Sequence, residues 1–184
     1  MSKVLVLLAQ GCEEVEAVTV IDLLNRAGVE VTTACLDKEK IIHASHGALL
    51  VAQKLLDEVL TEEFDMVVLP GGLPGADNLA NNARVIQLIK NMANSGKYVS
   101  AICAAPHILA QSGLLDGKRA TAYPGFLKKK DFPKIEICDD AVVVCGNIIT
   151  GRGPGVAMDF ALALIEALEG KAIRDKVEAT LVRY

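Results

Sequence analysis

A cysteine at a predicted strand-to-helix junction is the most reactive group that the sequence offers. Cys103 follows the apolar run Tyr98–Ile102, and Ala104, Ala105 and Pro106 begin a predicted helix. Small residues allow a tight bend, and proline suits the first helical turn because it lacks an N–H. The arrangement resembles a nucleophile elbow, although the local pattern is not GxSxG. The helix dipole predicts a lowered thiol pKa, whereas an inert cysteine packed behind the sheet is the alternative.

Three glutamates follow the first predicted strand. They are Glu13, Glu14 and Glu16, within the segment Gly11–Glu16. The helix dipole alone explains carboxylates at the start of a helix. The functional alternative is that one of them reaches Cys103, because a carboxyl beside a thiolate has a raised pKa and donates a proton to sulfur.

Two glycine-rich loops follow later predicted strands, Leu69–Gly75 and Gly151–Gly155. Each is either a simple turn or a source of free groups that bind an anion. The first loop exposes backbone N–H groups suited to an oxyanion or a phosphate, but it is neither a Walker loop nor a GxGxxG loop. In the second loop, Arg152 is suited to pair with a carboxylate or another anion.

The histidines and cysteines show no metal-binding spacing. His43, His46 and His107 lie in unlike contexts, and the five cysteines lack a CxxC pair. We therefore expect free thiols and no metal site. His107, on the helix after Cys103, is the histidine expected to come nearest to that thiol. Cys12, at the same sheet edge, is either a small apolar filler or a resolving thiol that traps a sulfenate.

The composition limits the class of protein. The chain has 184 residues, is 52% hydrophobic and carries a net charge of −4. This predicts one domain spanning 1–184 and makes a nucleic-acid partner unlikely. The apolar run near the N-terminus lacks the length and cleavage site of a signal peptide, and no run is long enough for a membrane span. The expected compartment is the cytoplasm, with no membrane partner.

Strand-length apolar runs alternate with segments of helical period. The predicted strands are Val4–Leu8, Val29–Ala34, Met66–Leu69, Tyr98–Ile102 and a pair, Val142–Val144 and Ile148–Thr150. The predicted helices are Glu14–Ala27, Ala83–Ser95, Ala105–Ser112 and Gly155–Glu169. Runs that are apolar on both faces are typical of a parallel sheet covered by helices. The alternation predicts an α/β fold with a flavodoxin-like, doubly wound, mostly parallel sheet, whose chemistry lies in the loops after the strands.

Four motifs together resemble the ThiJ/PfpI family over essentially the whole chain. The resemblance is strongest to the branch of the Parkinsonism-associated protein deglycase and its bacterial ThiJ-like relatives. In order, the motifs are Gly11–Glu16, Val67–Gly72, Ala101–Pro106 and Arg152–Gly155. No single motif is decisive, but the four in this order are highly specific. The resemblance implies the class I glutamine amidotransferase-like form of the predicted fold.

The resemblance also implies a set of roles. The family's reactive, easily oxidised cysteine corresponds to Cys103, and the glutamate that hydrogen-bonds it corresponds to Glu16. Backbone N–H groups that line the pocket correspond to Gly71, Gly72 and Ala104. Members of this branch are homodimers with the first helix at the interface. They are credited with glutathione-independent glyoxalase activity, with deglycation of protein side chains, with chaperone activity and with protection against oxidative stress.

Two departures from the family pattern bear on the chemistry. Ala104 stands where proteases and chaperones of the wider family have a histidine directly after the cysteine, so a protease triad is not expected. Tyr123 stands in the motif where the human deglycase has a histidine near the cysteine. A tyrosine donates a hydrogen bond but is a poor base at neutral pH, which leaves acid–base work to Glu16.

Two functions remain open from the sequence. In the first, Cys103 attacks a reactive carbonyl, the N–H groups hold the oxyanion, and Glu16 moves a proton. In the second, Cys103 is a redox sensor in a holdase chaperone and is oxidised to a sulfinate. We expect no cofactor in either case, because the glutamates after the first strand would repel the phosphate of a flavin.

Overall fold

A seven-stranded sheet forms the centre of the molecule, in a computed structural model that describes residues 1–36 and 38–183. Its strands, in chain order, are β1 (Lys3–Leu8), β2 (Glu30–Cys35), β5 (Lys54–Leu55), β6 (Met66–Leu69), β7 (Tyr98–Ile102), β10 (Val142–Cys145) and β11 (Ile148–Gly151). Their spatial order is β10-β11-β7-β6-β1-β2-β5. All neighbours pair in parallel except β10 and β11, which form an antiparallel hairpin.

Helices cover both faces of this sheet. They are α1 (Glu14–Arg26), α2 (Leu56–Val59), α3 (Gly75–Ala80), α4 (Ala83–Asn94), α5 (Pro106–Gln111), α6 (Ala157–Glu169) and α7 (Lys171–Thr180), with a 3-10 turn at Pro154–Val156. Leu5 and Leu7 of β1 pack into one buried cluster, while Val4 and Val6 pack into the other. Successive side chains of a strand point to opposite faces, so an all-apolar strand requires cover on both. The predicted flavodoxin-like, doubly wound fold is confirmed.

Two short strand pairs lie outside the central sheet. One is the hairpin of β3 (Ile41–His43) and β4 (Leu49–Val51), and the other is the parallel pair of β8 (Arg119–Ala120) and β9 (Glu136–Ile137). The hairpin is fastened to the loop after β1, because the Gly11 N–H donates to the His43 carbonyl at 2.8 Å. None of these four strands was predicted, since each is too short to show a periodic pattern.

The parallel strands bring the loops with the candidate groups to one edge of the sheet. Strands β1, β6, β7 and β11 are consecutive neighbours, in the order β11-β7-β6-β1. Their carboxyl ends lead into the glutamate segment, the first glycine-rich loop, Cys103 and Arg152, respectively. This is the edge at which doubly wound folds bind ligands.

Candidate functional site

Cys103 occupies a strained turn directly after β7. Its φ is +65°, in the left-handed region that a residue with a Cβ rarely adopts. Two backbone hydrogen bonds hold this turn: Cys103 N–H donates to the Gly151 carbonyl at 3.0 Å, and Tyr123 N–H donates to the Cys103 carbonyl at 2.8 Å. The predicted junction of strand, cysteine and helix is present, and the surrounding structure holds the thiol in one orientation.

Glu16 lies beneath the cysteine, in the first turn of α1. Its side chain is fully buried, and its Oε2 accepts a hydrogen bond from the Gly71 N–H at 2.7 Å. Its other carboxyl oxygen, Oε1, is buried without a nitrogen or oxygen partner. The carboxyl interacts with the Cys103 thiol. One of the three glutamates therefore does reach the cysteine, and it is Glu16.

The glycine-rich loop after β6 closes over both groups. A Cβ at Gly71 would lie 2.7 Å from the Cys103 Cβ and 2.8 Å from Glu16 Oε2. At Gly72, φ is +85° and a Cβ would lie 2.4 Å from the Glu13 backbone nitrogen. Neither position has room for a side chain, so glycine is required for the close approach of this loop.

The backbone N–H groups around the site have different partners, the carboxyl of Glu16 or the thiol of Cys103. Gly71 donates to Glu16, whereas the N–H groups of Gly72 and Ala104 interact with the Cys103 thiol and lower its pKa. The three positions were grouped from the sequence as one set of pocket donors. The structure separates Gly71 from that set, because its N–H is already engaged by the carboxylate.

Burial raises the pKa values of both central groups. For Glu16 the pKa rises to about 7, because desolvation outweighs the hydrogen bonds from Gly71 and Cys103. For Cys103 burial raises the pKa to about 12, and the charge of Glu16 adds to this, against the lowering by the Gly72 and Ala104 N–H groups. The expectation of a lowered thiol pKa is therefore wrong. The helix dipole that it relied on comes from a six-residue helix starting three residues later, and it does not offset burial beside a carboxylate.

A cavity of about 320 Å³ opens above the thiol. It is lined by Glu13, Ser45, His46, Gly72, Leu73, Cys103, Ala104, Tyr123 and Phe126. We call Glu16, Gly71, Gly72, Cys103 and Ala104 the inner wall, and Glu13, Ser45 and His46 the rim. The inner wall comes from the ends of β6 and β7 and the first turn of α1, whereas Ser45 and His46 come from the turn between β3 and β4.

The rim is a hydrogen-bonded cluster that the sequence did not reveal. His46 Nδ1 lies 2.9 Å from Glu13 Oε2 and 3.0 Å from Ser45 Oγ, and Ser45 Oγ donates to Glu13 Oε2 at 3.0 Å. Glu14 accepts the His46 N–H at 3.0 Å, and Glu13 is itself almost fully buried. The functional groups of the two glutamates and His46 lie within 4.8 Å of one another. Because hydrogen bonds already engage them, we interpret them as a polar network.

Of the accessory residues Tyr123, Arg152 and His107 proposed from the sequence, only Tyr123 lines the cavity. Tyr123 lines the cavity and packs edge-to-face on Phe126. Arg152 forms an ion pair with Asp139 at 2.5 Å and does not line the cavity. His107 does not line the cavity, and its Nδ1 lies 2.9 Å from the Phe126 carbonyl oxygen. The expectation that His107 would come nearest to the site is wrong, because a hairpin distant in sequence brings His46 there.

Cys12 is a buried thiol beside the site. It is fully buried within the core cluster that includes Val6 and Leu8, and burial raises its pKa to about 11. It does not line the cavity. Cys12, Cys103, Cys138 and Cys145 form no disulfide. This environment favours the apolar-filler interpretation of Cys12 over that of a resolving thiol.

The fold and the site define a class: a flavodoxin-like α/β protein with a cysteine on a strand-to-helix elbow, a buried carboxyl beneath it and two N–H groups directed at its sulfur. The model of the DJ-1/PfpI family matches residues 2–167. The chain therefore belongs to the DJ-1/PfpI family. The family resemblance drawn from the four motifs is confirmed.

Individual relatives agree with this assignment. The chain is 39% identical to protein dj-1beta of Drosophila melanogaster, with the alignment covering all of both chains. It is 34% identical to the glutathione-independent glyoxalase DJR-1.2 of Caenorhabditis elegans, over 92% of this chain and 89% of that protein. The solved structure of oxidized DJ-1 from Toxoplasma gondii superposes with a TM-score of 0.93 at 39% identity, over all of both chains.

Some relatives are longer than this chain. Two DJ-1 homologues of Arabidopsis thaliana, each 39% identical, match it over 46% and 41% of their own length, so the chain spans less than half of them. Within the described residues, no helix combines the length and apolar character needed to cross a membrane.

Proposed function

We propose that the protein is a cysteine-dependent enzyme that acts on reactive carbonyls, as a glutathione-independent glyoxalase or a protein deglycase. One observation carries this proposal: Glu16 and the N–H groups of Gly72 and Ala104 converge on the sulfur of Cys103 at the floor of an open cavity. The relative named as a glutathione-independent glyoxalase supports the same activity. In the cell this activity would protect against carbonyl and oxidative stress.

The chemistry begins with attack of the thiolate on the aldehyde carbon of a 2-oxoaldehyde. The S–C bond forms, and the carbonyl electron pair moves to oxygen, where the Gly72 and Ala104 N–H groups stabilise it until it takes up the proton that left the thiol, which gives a hemithioacetal. Glu16 then carries a proton from the aldehyde carbon to the neighbouring carbon, which turns the hemithioacetal into a thioester. Water hydrolyses the thioester to the hydroxy acid and restores the thiol. No oxidant or cofactor is consumed.

Glu16 and Cys103 titrate as a pair rather than independently. An ionised Glu16 opposes formation of the thiolate, whereas a protonated Glu16 removes that repulsion and offers a proton to sulfur. Because the pKa of Glu16 is about 7, both of its forms are populated near neutral pH. A proton carrier needs this property, so the raised pKa supports Glu16 as the acid–base group.

Lactate formation from methylglyoxal without glutathione tests the proposal. We expect turnover by the wild type, none by Cys103→Ser, and a loss of about 10²–10⁴-fold in kcat for Glu16→Gln. Cys145→Ser, at the end of β10, is the matched control and should retain full activity. Full turnover by Cys103→Ser would contradict the proposal.

A redox-sensing chaperone is the second candidate, and the same donors favour it. The N–H groups of Gly72 and Ala104 at the sulfur, with a protonated Glu16, would stabilise the oxygens of a sulfinate. Mass spectrometry after mild peroxide should show two oxygens on Cys103 before Cys138 or Cys145 changes. Equal or earlier oxidation of those two partly exposed thiols would count against this role.

Its partners are proposed to be small carbonyl compounds, glycated protein side chains and a second copy of the chain. Val15 and Val18 on α1 and Met158 on α6 are each 44% or more exposed, and α1 packs on α6. Exposed apolar groups on adjoining helices are typical of an association surface. Sedimentation should give a dimer that Val18→Glu weakens, and a wild-type monomer at micromolar concentration would exclude this partner.

A further inference from the structure

The site described so far has a single proton carrier, Glu16, whereas the proposed reaction also moves protons on and off two oxygens. Tyr123 is a poor base at neutral pH. His107 is turned toward the Phe126 carbonyl, and His43 is absent from the cavity lining. The remaining histidine, His46, shares the cavity with the Cys103 thiol.

We propose that His46, oriented by Glu13, is the second proton-transfer residue of this site. This inference rests on the proposed carbonyl chemistry and adds a catalytic residue to it. The observation that carries it is the placement of an exposed imidazole, tied through one ring nitrogen to a buried carboxylate, on the wall of the cavity above the thiol.

Glu13 and Ser45 fix the ring through Nδ1. Glu13 is 7% exposed, and its Oε1 accepts a hydrogen bond from the Val15 backbone N–H at 3.3 Å, which helps to fix the carboxylate. Its Oε2 lies 2.9 Å from His46 Nδ1. A carboxylate on one ring nitrogen fixes the tautomer and leaves the other nitrogen, Nε2, to exchange protons. The His46 side chain is 74% exposed, so Nε2 is open to the substrate and to water.

The hairpin turn that carries His46 is anchored to the loops of the inner wall. Ser45 N–H donates to the Cys12 carbonyl at 2.9 Å. The Glu14 carboxylate accepts the backbone N–H groups of His46 at 3.0 Å and Ala48 at 3.3 Å. The imidazole is therefore positioned by a fixed backbone rather than by a free loop, as proton transfer requires.

Glu16 moves protons between the two carbons, and His46 moves protons between the two oxygens. Once the S–C bond has formed and the thiol proton has passed to the aldehyde oxygen, Glu16 removes the hydrogen of the aldehyde carbon as a proton while the His46 imidazolium protonates the neighbouring carbonyl oxygen, which gives an enediol. Glu16 then protonates the second carbon, and His46 takes the proton from the oxygen of the first. The product is the thioester, and both residues return to their starting states. Four ionisable groups face His46 across the cluster and the cavity: Glu13, Glu14, Cys103 and Tyr123.

The test compares His46→Gln with His43→Gln, a histidine of the same hairpin outside the cavity lining. For lactate formation from methylglyoxal we expect His46→Gln to lower kcat by about 10²-fold and His43→Gln to leave it unchanged. The pH profile of kcat should differ from that of wild type in His46→Gln and match it in His43→Gln. Alkylation of Cys103 by iodoacetamide should proceed as in wild type, which shows that the thiol pocket is intact.

Other results would overturn the inference. A kcat for His46→Gln equal to that of wild type, with Cys103→Ser and Glu16→Gln inactive, would leave the proposed function standing and remove His46 from it. An unchanged pH profile would assign a fall in kcat to packing instead of proton transfer. Loss of wild-type activity in EDTA would assign the cluster to a metal ion. If the wild type forms no lactate, the inference fails together with the proposed function.

Discussion

The inner wall and the rim of the cavity are built in opposite ways. The inner wall is mostly buried, it consists of the ends of the adjacent strands β6 and β7 and the first turn of α1, and glycines 71 and 72 tolerate no side chain. The rim depends on a short hairpin, and His46 is mostly exposed. A change in the inner wall should therefore affect stability and chemistry together, whereas a change at His46 should affect chemistry alone.

The largest expected effect is the pH dependence of stability that Glu16 introduces. Its pKa is raised from 4.5 to about 7 in the folded protein, so the folded state keeps a proton that the unfolded chain releases. Stability therefore falls as pH rises from about 4.5 to about 7, by about 3 kcal/mol. Urea unfolding of wild type and Glu16→Gln across this range should show the fall in wild type only. Parallel curves would contradict the burial of an ionisable carboxyl, and Glu63→Gln, which removes an exposed carboxyl, is the control.

A methyl group in the inner wall should cost both stability and activity. Gly71→Ala places a Cβ 2.7 Å from the Cys103 Cβ and 2.9 Å from the Ile102 carbonyl oxygen. We expect a loss of about 1–3 kcal/mol in the free energy of unfolding, together with loss of turnover. Gly155→Ala meets no atom within 4 Å and should be neutral in the same denaturation and lactate assays. Equal stability of the two variants would show that the loop relaxes at no cost.

An imidazole introduced at another position of the cavity lining tests the role of His46. Tyr123 is 47% exposed, so Tyr123→His should fold normally. In the His46→Gln background we expect this change to restore kcat by about tenfold, because the cavity regains a group that exchanges protons near neutral pH. In the wild-type background it should add little. A large gain in the wild-type background, with no rescue of His46→Gln, would show that the rim histidine is not the missing proton carrier.

The smallest effect is expected outside both regions. Arg152 pairs with Asp139, whose side chain is 93% exposed. Exposed ion pairs contribute little, so Arg152→Ala should cost less than about 1 kcal/mol and leave kcat unchanged. Thermal unfolding and the lactate assay measure these two quantities. A large fall in kcat would place Arg152 among the anion-binding groups, as the sequence left open.

The sequence predicted the central strands well because each is apolar on both faces. Met66–Leu69 and Tyr98–Ile102 were predicted with the bounds observed, and the predicted pair Val142–Val144 and Ile148–Thr150 forms an antiparallel hairpin. It missed the strands β3, β4, β5, β8 and β9 and the helices α2, α3 and α7. The missed strands have two or three residues each, too few to show a period.

The candidate site, like the fold, was predicted only in part from the sequence. Cys103 and Glu16 were singled out, because strand ends converge at one edge of a parallel sheet and the family motifs name them. The direction of the thiol pKa was mispredicted, since desolvation depends on burial, which neighbouring residues in sequence do not report. His46 was passed over for His107, because only the folded hairpin brings position 46 to the cavity.

The sequence by itself determined the class of fold, the family and the two residues at the centre of the site. Periodicity, punctuation by glycine and motif order are local properties, and they suffice for these conclusions. Only the tertiary structure decided the burial of Glu16, the assignment of each N–H group and the presence of His46 with its carboxylate partner. These depend on contacts between segments about 30 to 55 residues apart, such as Glu13 with Ser45 and Glu16 with Gly71, and a hydrogen bond across that separation exists only in the folded chain.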